Sequence, residues 1–178
     1  FEALRPAVEE ALGQSPETAF DSFDTEPLAA ASMAQVHRAT LKDGTPVVLK
    51  IRRPDIRPRM EADLRLITQL ASVAEAASAE ARRFAPAAMT RQLAEAVLEE
   101  LDFTGEGRNA DRLRADFARD PRVVVPEIHW TWTSEALLVM DYIAGTPPLD
   151  GDRLRAAGID PAEIASLGAD IVLDMVLV

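Results

Sequence analysis

Two strand-like runs flank an Asp43-Gly44 pair between Asp24 and Pro54, and this arrangement constrains the fold more than any other feature of the chain. Asp-Gly belongs to tight two-residue turns, because glycine accepts the positive φ that such turns need. The β-branched stretch Thr45 to Ile51 is therefore expected to fold back on the run before the turn. Small residues, Leu28 to Gln35, interrupt the segment further upstream. The whole segment reads as strand, small-residue turn, strand, tight turn, strand, an antiparallel meander.

Helical signals surround the meander. Leu4, Val8, Ala11 and Leu12 follow helical spacing and Gly13 ends it, which predicts a short first helix. Ile56, Met60, Leu64, Ile67, Leu70 and Val73 predict a helix from Ile56 to about Ala81, entered past Pro54 and Pro58. A second helical stretch runs from Pro86 to Arg119 and stops at Asp120-Pro121, since the residue before proline disfavours the α region. Two strands are expected next, Val123 to Trp132 and Ala136 to Ile143. Gly145-Thr146-Pro147-Pro148 breaks the chain, and Asp160-Pro161-Ala162-Glu163 opens another helix. The predicted class is α+β: five antiparallel strands interrupted by helices after the third, the order of the small lobe of a protein kinase. Residues 1–144 would form that lobe, and residues 145–178 the start of a helical lobe.

Composition narrows the chemistry. With 48% hydrophobic and 28% charged residues the chain is globular rather than disordered. A net charge of -11 argues against nucleic acid as a partner. The absence of cysteine removes disulfides and thiolate metal sites, and His37 and His129 alone cannot hold zinc, so no metal site is predicted within these residues. No run of 18 apolar residues suggests a membrane span, and no signal peptide is evident. The start at Phe1 and the apolar end IVLDMVLV are both read as cuts.

Lysine occurs only at 42 and 50. Lys42 lies beside the Asp-Gly turn. Lys50 lies inside VVLKI, where alternation sets Val47, Leu49 and Ile51 on one face and Val48 with Lys50 on the other. A charge in such a strand needs a partner. An ammonium held on a rigid strand suits the α and β phosphates of ATP; the plainer reading is an edge lysine that discourages aggregation. Ala29, Ala30, Ala31 and Ser32 stand where a kinase carries a glycine-rich phosphate loop, and alanine there makes a stiffer cover. Candidate acidic partners sit in LEELDFTGEGRN. On one continuous helix Asp102 and Glu106 would lie about 40° apart and Glu100 about 160° from Asp102. One straight helix cannot aim all three at one site, so either it bends near Gly105 or Glu100 serves another contact. In ALLVMDYIAG an apolar strand runs to a glycine. Met140 would limit pocket depth there, while Asp141 and Ile143 would offer backbone groups to a nucleotide base.

Together PLAAASMAQVHRATLKDGTPVVLKIRRPDI resembles the signature of the UbiB family of atypical kinases, which supports ubiquinone and other isoprenoid-lipid metabolism. The resemblance covers most of residues 15 to 178. It extends to Gln35, Val36 and His37 after the alanine loop, to a Glu-x-Asp motif met by Glu100 and Asp102, and to an Asp-aromatic-x-x-Glu-Ala-x-Asn pattern met by Asp102, Phe103, Glu106 and Asn109. It implies that Glu106 pairs with Lys50, and that Glu100 with Asp102 faces a Lys-x-Gly-Gln segment or a metal. It further implies ATP or ADP as ligand, Mg in the full-length protein, and lipid or lipid-biosynthesis proteins as partners of a cytoplasmic, membrane-associated parent. Gly107 departs from the alanine usual in the family. The Lys-x-Gly-Gln segment, the catalytic-loop Asp and Asn, and the metal-binding Asp-Phe-Gly do not occur in these residues, so the chain by itself is expected not to catalyse phosphoryl transfer. The alternative is a non-catalytic pseudokinase module that serves regulation or partner binding.

Overall fold

The computed structural model describes the backbone of residues 1–177 and the side chains of residues 1–175. Its residues group into two compact units, Phe1–Tyr142 and Ile143–Val178. In the first unit, helices α1 (Arg5–Leu12) and α2 (Pro16–Ala19) precede strands β1 (Ser22–Phe23), β2 (Ala29–Ala30), β3 (Ala34–Thr40) and β4 (Pro46–Arg52). Helices α3 (Ile56–Ala77), α4 (Ala79–Phe84), α5 (Pro86–Glu100) and α6 (Phe103–Asp116) follow, and β5 (Leu137–Asp141) completes a five-stranded antiparallel sheet. The path is β1-β3-β4-β5, with β2 also on β3. The second unit holds α7 (Gly151–Ala156) and α8 (Pro161–Leu177). Asp150 and Asp160 start these two helices by accepting from the N–H groups of Arg153 and Ala162 at 3.0 and 2.9 Å. Among the described residues no helix is long and apolar enough to cross a membrane.

The chain does reverse at Asp43-Gly44, but through a three-residue loop, Lys42 to Gly44, closed by the Leu41 N–H on the Thr45 carbonyl at 2.9 Å: Gly44 alone takes positive φ, +90°, and its N–H donates to the Leu41 carbonyl at 2.9 Å. Gly13 ends α1 at φ +68°. Four further expectations change. The run Val123 to Trp132 is not a strand; it makes one isolated bridge, Ile128 to Met140, and then a 3-10 turn at Trp130–Trp132. Pro126 has no N–H to give a ladder, which explains why pairing does not propagate. Ala29 and Ala30 are not in the turn but form β2, leaving residues 31–33 at the tip. The helix from Ile56 ends at Ala77, because Ser78 turns extended and its hydroxyl accepts from the N–H groups of Glu80 and Ala81. The stretch from Pro86 to Arg119 breaks at Leu101-Asp102 rather than bending near Gly105. Asp102 is extended there, and its carboxylate accepts from the Thr104 N–H at 2.9 Å and hydroxyl at 2.7 Å. A short carboxylate competing for backbone donors favours a helix start over a helix interior.

The sheet buries both faces. Val47, Leu49 and Ile51 join Leu137 and Val139 in a core covered by Leu4, Val8, Ala19 and Phe20 of the N-terminal helices. Ala34 and Leu138, on the opposite face, pack with Phe103 and Ile128. His37 is the buried polar residue of the first core. Its Nδ1 lies 3.0 Å from the Asp24 carbonyl and its ring stacks on Phe23. Burial holds its pKa below the ordinary histidine value. The unfolded chain therefore takes up this proton at a higher pH than the folded one. Unfolding free energy should be level above about pH 6.5 and fall as the pH drops from there towards 5. Chemical denaturation across that range checks this, with a flatter profile expected for His37→Asn.

Candidate functional site

Strand register places the site. Ala29, Val36, Lys50 and Leu138 lie side by side across β2, β3, β4 and β5, and cross-strand neighbours share a face. Arg38, Val48 and Met140 form the next row on that face. Lys50, three-quarters buried, thus emerges on the face that also carries Ala29 of the alanine hairpin and the row of Arg38, Val48 and Met140.

Its ammonium donates to Glu106 Oε2 at 2.5 Å and sits 4.6 Å above the Phe103 ring. The break at Asp102 is what allows this pairing. It gives α6 its own direction, with Phe103 buried under the sheet and Glu106 one turn further on. Because Glu106 is 43% exposed, the pair adds no more than about 1 kcal/mol to the fold. Its value is positional: it holds the lysine in one rotamer.

The other expected residues fall into distinct places. Asp102 caps α6, and the Thr104 hydroxyl holds its carboxyl below the usual carboxylate range. Glu100 is exposed at the last turn of α5. Ala29, Ala30, Ala31 and Ser32 are exposed on the hairpin. Met140 is half-buried on the Lys50 face, whereas Asp141 pairs with Val47 and so turns its side chain to the other face. There Asp141 accepts from His129 Nε2 at 2.8 Å and from the Glu127 N–H at 3.3 Å. Its main-chain N–H donates to the Glu127 carbonyl at 3.0 Å. Ile143 begins the second unit and is exposed. Among the described residues no three acidic or imidazole side chains gather to hold a metal.

Three residues gain roles that the sequence reading did not assign. Arg53 ties the alanine hairpin to the end of β4: its N–H donates to the Met33 carbonyl at 2.9 Å and its Nε to the Ala31 carbonyl at 3.1 Å. Arg52 reaches the joint between α5 and α6. Trp130 packs on Gly107 and donates from Nε1 to Asp111 at 2.7 Å. The signal for the arginines was their spacing from Lys50, with Arg52 on its face; for Trp130 there was none, since the contact spans distant segments.

Gly107 has a packing reason. A Cβ there would come within 2.9 Å of the Trp130 ring and 3.4 Å of Leu138. Alanine would otherwise favour the helix by about 1 kcal/mol. Gly107→Ala should therefore destabilise the parent, where the indole must move, and stabilise a Trp130→Ala background by up to about 1 kcal/mol. Urea unfolding of the four proteins of that cycle checks the change of sign.

The model of the ABC1 atypical kinase-like domain matches residues 1–178. A protein of Pseudomonas paraeruginosa named "Probable protein kinase UbiB" is 39% identical over 169 residues, covering 95% of this chain and 32% of its own length. A Vibrio cholerae protein of the same name is 40% identical over 170 residues, 95% of this chain and 31% of that protein. The chain thus spans about a third of the length of the curated relatives it matches. A solved structure described as "The complex structure of Rv3197-erythromycin from Mycobacterium tuberculosis" is similar with a TM-score of 0.70 and 25% identity. That match covers 84% of this chain and 37% of the other.

Proposed function

The chain belongs to the ABC1 atypical kinase-like family of UbiB-type proteins, and we propose that it is the part of such a kinase or ATPase that holds ATP or ADP. The observation that carries this reading is the ion pair of Lys50 with Glu106 beside the alanine hairpin. An ammonium has three donors. One engages Glu106, which leaves the others for phosphate oxygens on the face shared with Ala29 and Val36. Val48 and Met140 extend that face as an apolar floor suited to a base, with the Asp141 carbonyl at its end.

ATP would supply the transferable phosphoryl group; these residues bind and orient it. Phosphoryl transfer rests on such positioning together with charge stabilisation. With Asp102 committed to capping α6, the acidic residues described do not form a set that would hold Mg. The parent protein would act on lipid or lipid-biosynthesis proteins in ubiquinone metabolism, at the cytoplasmic face of a membrane.

A non-catalytic nucleotide-binding module is the second reading. It is favoured by the commitment of Ala29 and Ala30 to pairing with Val36 and Gln35, which stiffens the cover over the phosphates. Calorimetric titration of the full-length protein with ATP and Mg, followed by phosphate release, separates the two. Saturable binding with turnover supports the enzyme and saturable binding without turnover the module. A parent that binds no nucleotide would sink both.

A further inference from the structure

The helix break that frees Glu106 also exposes a backbone group. In a continuous helix the Leu101 carbonyl would accept from the N–H of Gly105, but that N–H goes to the Asp102 carbonyl at 3.2 Å. Leu101 is fully buried, so its carbonyl needs another donor. Arg52 supplies it. One guanidinium nitrogen donates to the Leu101 carbonyl at 2.5 Å and to the Glu135 carbonyl at 3.2 Å. The Phe103 N–H, first of α6, donates to the same Glu135 carbonyl at 3.2 Å. Three segments meet there: the end of β4, the α5–α6 joint and the turn before β5. Arg52 is two residues beyond Lys50 on the same face of the same strand, about 7 Å along it.

We propose that Arg52 is a positioning residue for the Lys50–Glu106 pair. One strand carries both the ammonium and the grip on the helix that carries its carboxylate. Glu106 lies roughly 5 Å along α6 from its first residue, so a 20° tilt at the joint moves the carboxylate by roughly 2 Å. That displacement is enough to break a contact of 2.5 Å. The surrounding charges are Arg57, which ion-pairs with Glu61 and the Glu135 carboxylate, and Asp102, which caps α6. Neither holds the Leu101 carbonyl.

The functional consequence rests on the nucleotide reading above; the positioning itself does not. The test uses the full-length protein with Arg52→Met, Arg52→Lys, and Arg57→Met as a control for loss of nearby positive charge. Two readouts are taken on each: the slowly exchanging Lys50 ammonium resonance, assigned by its loss in Lys50→Met, and ATP affinity by calorimetry. Arg52→Met is expected to lose the resonance and weaken ATP binding about 10-fold. Arg52→Lys, which keeps a donor and is the folded substitute if the methionine variant is not stable, should fall between it and the parent. Arg57→Met should match the parent. If Arg52→Met lowers stability but keeps both resonance and affinity, Arg52 is merely structural and the proposal fails. If it loses the resonance while neither it nor Lys50→Met changes ATP affinity, the positioning stands and the nucleotide reading falls.

Discussion

Lys50→Met in the full-length protein should lower ATP turnover by on the order of 100-fold, about 2.7 kcal/mol in the barrier, with ATP binding weakened as well. Methionine keeps the length and apolar stem of lysine, so the strand and its contact with Phe103 survive. What disappears is the charge aimed at phosphate. The loss also leaves Glu106 without its partner on the same face, and an uncompensated carboxylate there repels a polyanion. Both effects act in one direction. The pair contributes little to folding, so the melting temperature should change far less than turnover does. Unchanged turnover would defeat the enzyme reading, and unchanged affinity would remove Lys50 as the nucleotide anchor.

Phe20→Ala should cost about 3–5 kcal/mol of stability, a fall of roughly 10 °C in melting temperature. Phe20 is fully buried, and its ring lies 5.8 Å from that of Trp132 at a tilt. It is part of the core in which the N-terminal helices cover Val47, Leu49 and Ile51. Truncation leaves a cavity behind the strand that bears Lys50. Leu70→Ala is the comparison: Leu70 is 61% exposed on α3, and its truncation should stay within about 0.5 kcal/mol. Thermal unfolding of the two variants in parallel checks the contrast; equal losses would mean that the N-terminal helices do not cover the sheet as described.

That contrast marks how far the sequence could be read. Helical spacing of Ile67, Leu70 and Val73 correctly signals α3, yet all three are exposed, while the buried residue of that helix is Leu64. Periodicity reports that a face exists, not what packs on it. Alternation in VVLKI set the faces of β4 because neighbouring side chains in a strand must diverge. The break before α6 was harder to place. Gly105 has the weaker helix propensity, but the Asp102 carboxylate found two donors on Thr104 and moved the break three residues upstream. Pro126 could have warned against a strand at Val123 to Trp132, since it cannot donate to a ladder.

Local chemistry thus determined the Asp43-Gly44 turn, the faces of β4, the stop at Gly13 and the candidacy of Lys50 and the acidic run. Each depends on residues a few positions apart, whose geometry the backbone fixes directly. Only the tertiary structure bound Arg52 to Leu101 and set Trp130 on Gly107, and it joined Lys50 to Glu106, the partner that the family resemblance implied but helix geometry left open. Those contacts join segments far apart in the chain. Their partners are decided by how the sheet and α6 pack together, which no local pattern encodes.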